Sequence, residues 1–208
     1  MKNMKKLTLV GMIMALCSVI FMGCKDETDK KEKYLTYSEY AGSTVGYIVN
    51  ASAVFIGPEV KTVITNVLGE IVTKLPKETT AETIATDLKA ITDDAIKAMH
   101  VKEQYAELVN KSADTLLTLL QVGLSSIKTK HPVEFDNAEM FYTIAYTFFD
   151  SANSVLNISN SLRGDSVEEK AFEIADVTFD DIKDMAKDDG KKIPDDQLNE
   201  ILNAIKAK

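Results

Sequence analysis

The chain has 208 residues, with 24 lysines and arginines against 32 aspartates and glutamates, a net charge of −8. So acidic a surface repels phosphate backbones, and no nucleic-acid partner is expected. Two cysteines, two histidines and nine glycines with no Gly-x-Gly leave no material for a disulfide framework, a thiolate zinc site or a glycine-rich phosphate loop.

Along the chain, the first element is a basic start at Lys2, Lys5 and Lys6, followed by an uncharged, mostly apolar run from Leu7 to Phe21 and a closing Phe21-Met22-Gly23-Cys24. This is the layout of a secretory signal peptide. The run is shorter than the roughly 20 residues of a membrane-spanning helix, the alternative being an uncleaved N-terminal anchor. Its ending resembles the bacterial lipoprotein signal, in which a small residue precedes a cysteine that is lipidated and becomes the new N-terminus. Phe21 stands where that family prefers Leu or Val. The resemblance covers residues 1–24. It implies that residues 1–23 are removed, that Cys24 carries the lipid, and that the protein sits in the cell envelope, on the outer membrane, with the membrane as its first partner. Cys17 would leave with the signal peptide, so the mature domain would have no free thiol. Residues 1–23 hold three lysines and no acid, so the remainder carries 21 basic and 32 acidic residues, a net charge of −11.

Lys25 to Lys33 is polar or charged throughout, so residues 24–35 are expected to form a short disordered tether. Lys25-Asp26-Glu27 resembles the surface-export signal of some Bacteroidota lipoproteins, which implies surface display. A periplasm-facing or Gram-positive membrane-anchored placement is the alternative.

Residues 36–208 read as one all-α domain, a single bundle of about seven helices near 37–56, 58–75, 80–99, 102–130, 137–163, 167–189 and 195–207. The clearest pattern is Val60, Val63, Ile64, Val67, Leu68, Ile71, Val72 and Leu75, spaced for one helix face. Pro58 suits the first helical position and Pro76 ends the run. Thr36 with Glu39, Thr79 with Glu82, Asp136 with Glu139 and Ser166 with Glu169 have capping-box spacing. Gly164, Gly190 and Pro132 mark stops. The apolar phase runs on from Ile84 to Ile127, so residues 80–130 are either one helix of about 75 Å or two. A break near His100 is expected from ordinary helix lengths.

Residues 41–57 carry no charge, and Gly42 and Gly46 form a Gly-x-x-x-Gly that lets helices approach closely. A central core helix is expected here, a second membrane span being the alternative. Tyr47 to Phe55 and Phe148 to Leu156 resemble each other loosely, too little to establish a repeat.

Catalytic and metal-binding sets are not found. Neither His100 nor His131 has a glutamate three residues before it, and there is no His-Glu-x-x-His or Gly-x-Ser-x-Gly. Asp180, Asp184 and Asp188 share a helix face, but a calcium loop set with Gly190 at its sixth position would place Met185 and Lys187 where carboxylates are required. Interleaved lysines make this a solvated face. No metal or cofactor is expected.

The helix near 137–163 is apolar most of the way round, with Phe141, Tyr142, Phe148 and Phe149 as a candidate ligand or partner face. Taken together, the expectation is a non-enzymatic envelope lipoprotein whose helices meet a protein or envelope component. The alternative is a carrier holding a lipid or small apolar molecule between its helices.

Overall fold

The computed structural model describes residues 25–52, 56–160, 171 and 178–207. Among these, every regular element is helical: α1 Lys25–Ser52, α2 Pro58–Lys74, α3 Ile84–Ala98, a 3-10 turn Glu103–Tyr105, α4 Ala106–Lys130, α5 Pro132–Phe135, α6 Ala138–Asn160, α7 Phe179–Asp188 and α8 Asp195–Lys206. The protein is an all-α bundle. Contacts divide the chain at Tyr34–Leu35, and the bundle described below is the unit Leu35–Lys208. The expected signal segment and Cys24 lie outside the described residues.

α1 is the innermost helix. From Ala41 to Ser52 every residue is buried, which only a helix surrounded by others can achieve. Its glycines set the contact with α6. A Cβ on Gly42 would stand 2.1 Å from the Phe148 carbonyl oxygen, and one on Gly46 would stand 2.7 Å from the Ala152 carbonyl oxygen. The two backbones therefore touch, as the Gly-x-x-x-Gly spacing predicts. α4 closes the third side, where a Cβ on Gly123 would meet the Phe148 ring at 2.6 Å and Val45 Cγ2 at 3.0 Å. Among the described residues, no helix is long and apolar enough to cross a membrane. The uncharged run at 41–52 is apolar because it packs against protein.

α2 buries Val60, Val63, Ile64, Val67, Leu68 and Ile71 and packs on α3, α4 and α6. Pro58 is at its start, with Leu75 as the C-cap just before Pro76. Val72, expected on the same face, is only half-buried. α8 covers α4, and α7 leans on α8.

The 80–130 region breaks where expected. His100 adopts a left-handed conformation with φ 50°, and Lys102 is extended, so α3 cannot run into α4 despite the continuous apolar phase. A left-handed non-glycine residue ends a helix by pointing its next amide away from the axis.

Other boundaries differ from the sequence reading. α1 is already helical at Lys25, where a disordered tether was expected, because its lysines and glutamates are good helix formers. Thr36 and Glu39 consequently lie inside the helix and cap nothing. The cap before α6 is Asn137 rather than Asp136, its Oδ1 accepting from the Glu139 amide at 2.9 Å. Near Thr79, the reciprocal pair is Thr80 and Thr83, each amide donating to the other's hydroxyl at 3.0 and 3.4 Å. Thr79 and Thr83 hydroxyls both donate to Asp87 Oδ2, at 2.8 and 3.0 Å. Pro132 opens the one-turn α5 rather than only ending α4.

Of the helix expected over 167–189, the described part is α7, Phe179–Asp188, and residues 167–170 and 172–177 lie outside the described residues. Thr178 is extended and forms a full capping box with Asp181: the Asp181 amide donates to Thr178 Oγ1 at 3.2 Å and the Thr178 amide to Asp181 Oδ2 at 3.0 Å. The stop at Gly190 holds. Its φ of 70° allows a Schellman ending, with Lys191 N–H donating to Ala186 O at 2.8 Å and Gly190 N–H to Lys187 O at 3.0 Å. The expected cap at Ser166 and stop at Gly164 lie outside the described residues.

Candidate functional site

The four aromatic residues singled out in α6 separate into two groups. Phe141, Phe148 and Phe149 are fully buried. Phe148 and Phe149 meet edge to face at 5.1 Å, and Phe141 meets Phe135 of α5 the same way at 4.9 Å. These are favoured aromatic geometries, and they fix the rings as part of the core. Tyr142 is half-buried on the outer side, stacked 6.0 Å from the exposed Tyr146.

Two tyrosines of α1 reach acids on the C-terminal helices. The Tyr37 hydroxyl is buried without a well-formed hydrogen bond, near Ser126 and Glu200. Burial and the Glu200 charge push it up to about 12. The Tyr47 hydroxyl and Asp189 Oδ2 are likewise buried without a well-formed bond. Burial, then the neighbouring Asp189, raises Tyr47 as well. Lys191 Nζ donates to Ser43 Oγ at 3.1 Å beside them. His131 packs edge-on against Tyr37 at 5.7 Å, and burial lowers its pKa. The other histidine, His100, is exposed.

Two members of the acidic stretch have structural roles. Asp181 belongs to the α7 cap, and Asp195 pairs with Lys183 at 2.5 Å and raises the lysine. Among the described residues, no group of three or more His, Cys, Asp or Glu is placed to hold a metal ion.

Two of the concavities lined by described residues exceed 500 Å³. One, of about 510 Å³, lies at the end of the bundle where Phe135 and Phe141 form the back and Thr80, Glu82, Lys128 and Asp136 the mouth. Lys128 bridges the mouth, 3.0 Å from Asp136 and 5.8 Å from the centre of the Phe135 ring. Of the predicted face, Phe141 alone lines either concavity.

The other is a groove of about 560 Å³ running over the outward side of α2. α2 supplies the floor through Thr65, Asn66, Gly69, Glu70 and Thr73, while Ala98 and Met99 at the end of α3 and Asn153 of α6 make the sides. Thr65 Oγ1 donates to Lys61 O at 3.0 Å, and Thr73 Oγ1 to Gly69 O at 2.8 Å. One Asn66 side-chain N–H points to Met99 Sδ at 3.3 Å. Glu70 Oε2 lies 2.5 Å from Lys74 Nζ, and this carboxylate raises the lysine above its ordinary value.

Gly69 differs from the core glycines. A Cβ there would have Asn153 Oδ1 as its nearest neighbour, at 4.0 Å, an ordinary contact. A glycine inside a helix is about 1 kcal/mol less favourable than alanine, and no neighbour needs the space. Sequence reasoning missed this floor because outward polar positions carry no periodicity of their own. The available signal was a lone glycine inside the strongest amphipathic pattern of the chain.

The fold and site define an all-α bundle with a closed aromatic core and an open polar groove. No family model, curated protein or solved structure matches the chain.

Proposed function

We propose that the chain is a non-enzymatic binding protein of the bacterial cell envelope, held to the membrane by a lipid on Cys24 and presenting its helical domain to a protein or other envelope component. The anchor reading rests on the order of Lys2, Lys5, Lys6, the apolar run and Gly23-Cys24. The observation that carries the binding reading is the contrast between the filled interior and the open α2 groove. Phe148 is fully buried where α1, α4 and α6 meet, and its ring fills the space at that crossing. Several acyl chains, at roughly 0.8 kcal/mol per buried methylene, anchor such a domain firmly.

Labelled palmitate fed to the expressing bacterium tests the anchor. The wild type takes up label and sediments with membranes. Cys24→Ala loses both label and membrane attachment. A Cys24→Ala protein that stays on the membrane refutes the anchor.

A second reading, a carrier for a small apolar molecule, draws on the end cavity backed by Phe135 and Phe141. Native mass spectrometry of protein purified from its source decides it. A reproducible adduct of a few hundred daltons supports the carrier, and a bare mass removes it.

A further inference from the structure

We propose that the groove over α2 is a binding site for a neutral, hydroxyl-rich ligand of the short-saccharide class. The proposal rests on the reading of the chain as a binding protein and names what that protein binds. Gly69 is the first argument. Gly42, Gly46 and Gly123 are each required by a neighbour closer than 3.0 Å, whereas Gly69 has only Asn153 Oδ1, at 4.0 Å. Packing does not account for a residue that weakens its helix, and its effect is to keep the groove floor low.

Hydrogen-bonding capacity gives the ligand class. The Thr73 hydroxyl proton is committed to Gly69 O, so that oxygen meets a ligand as an acceptor. With one Asn66 N–H turned to Met99, the Asn66 carbonyl, the Asn153 side chain and the Glu70 carboxylate add further accepting atoms. Beside these acceptors stand the second Asn66 N–H, the Asn153 amide N–H groups and the remaining Lys74 ammonium hydrogens, so the lining favours a ligand whose groups both donate and accept, as hydroxyls do. Charge narrows the class further. Glu70 and Lys74 neutralise each other within the groove, so neither an anion nor a cation finds an unmatched counter-charge in the lining. A neutral polyol satisfies the acceptors without such a charge, and Met99 and Ala98 offer an apolar side to the C–H face of a sugar ring. The volume of about 560 Å³ falls in the usual range of small-molecule sites, about 300–1,000 Å³.

The test is a printed array of neutral, sialylated and sulfated oligosaccharides, probed with the full-length protein in detergent. The wild type is expected to retain neutral members, and Gly69→Leu to lose at least tenfold in retention while its Tm holds or rises by about 2–4 °C. Asn153→Ala provides a second variant should Gly69→Leu fold poorly, with the same loss expected. No neutral member retained, or equal retention by a folded Gly69→Leu or Asn153→Ala protein, overturns the proposal. Retention of charged members alone also overturns it, while leaving the broader binding reading standing. The anchor is tested separately through Cys24, so the two failures are distinguishable.

Discussion

The Phe148 ring occupies the volume that a side chain at residue 123 would need: a Cβ on Gly123 would lie 2.6 Å from Phe148 Cζ. The same residue's carbonyl oxygen faces Gly42 at 2.1 Å from an added Cβ. Phe148 is thus held by two glycines from two helices. Overpacking a core costs typically 1–3 kcal/mol, more where backbone must move. Gly42→Ala, which meets backbone, should destabilise more than Gly123→Ala, which meets a ring. Denaturant melts of both variants check the order, and a Gly42→Ala protein as stable as wild type refutes the close α1–α6 crossing.

The two buried tyrosines of α1 predict alkaline sensitivity. A tyrosine raised in the folded state keeps its proton there while the unfolded chain gives it up. Its stabilising effect is therefore complete below pH 10, the ordinary tyrosine value, and is lost as pH rises toward about 12 for Tyr37. Each such group adds a slope of up to about 1.4 kcal/mol per pH unit in that window. Tm measured from pH 9 to pH 12 should fall, and fall less steeply in Tyr37→Phe. Because neither hydroxyl makes a well-formed hydrogen bond, Tyr37→Phe and Tyr47→Phe should be neutral or stabilising by about 1 kcal/mol at pH 7.

His131 sets the acid side. Burial lowers it from 6.5, so the stability it contributes is present above that value and lost as pH falls through its folded pKa. His131→Gln should flatten the decline in Tm between pH 7 and pH 5. An unchanged profile would show that the carboxylates alone set the acid limb.

His100 offers the reverse kind of change. The left-handed conformation costs a side-chain-bearing residue about 1–2 kcal/mol, and glycine adopts it freely. His100→Gly should raise stability by about 0.5–1 kcal/mol, because added freedom in the unfolded chain offsets part of the relief. Chemical denaturation reads this directly.

Thr178 is the strongest cap in the described chain. Thr178→Ala removes the hydroxyl half of the box, leaving the residue 178 N–H on Asp181 Oδ2, and should cost about 0.5–2 kcal/mol. Hydrogen exchange should quicken first in the opening turn of α7, before any change in α2 or α6.

The core was legible in sequence wherever apolar spacing and small residues act together. The face from Val60 to Ile71 and the Gly42–Gly46 approach follow from periodicity and side-chain size alone. The break at His100 was legible only through helix length, since no proline or glycine marks it. Starts were harder: Thr36, Thr79 and Asp136 each have the right chemistry, yet neighbours such as Thr80 and Asn137 complete the caps. The Thr178–Asp181 box was hidden inside a segment whose composition read as continuous helix. The α2 groove arises from helices brought together by the fold, and Gly69 was its one mark in the linear chain.

The crossing of α1 and α6 has a temporal consequence. α1 is the first described helix from the ribosome, but the backbone against which Gly42 and Gly46 rest lies between positions 148 and 152. Joining such distant segments carries the loop-closure entropy of the whole intervening chain. Nascent α1 therefore waits without its partner until α6 has been synthesised, and the bundle closes late. A chain that stays open until most of its length is made is one that can still be threaded through a narrow pore.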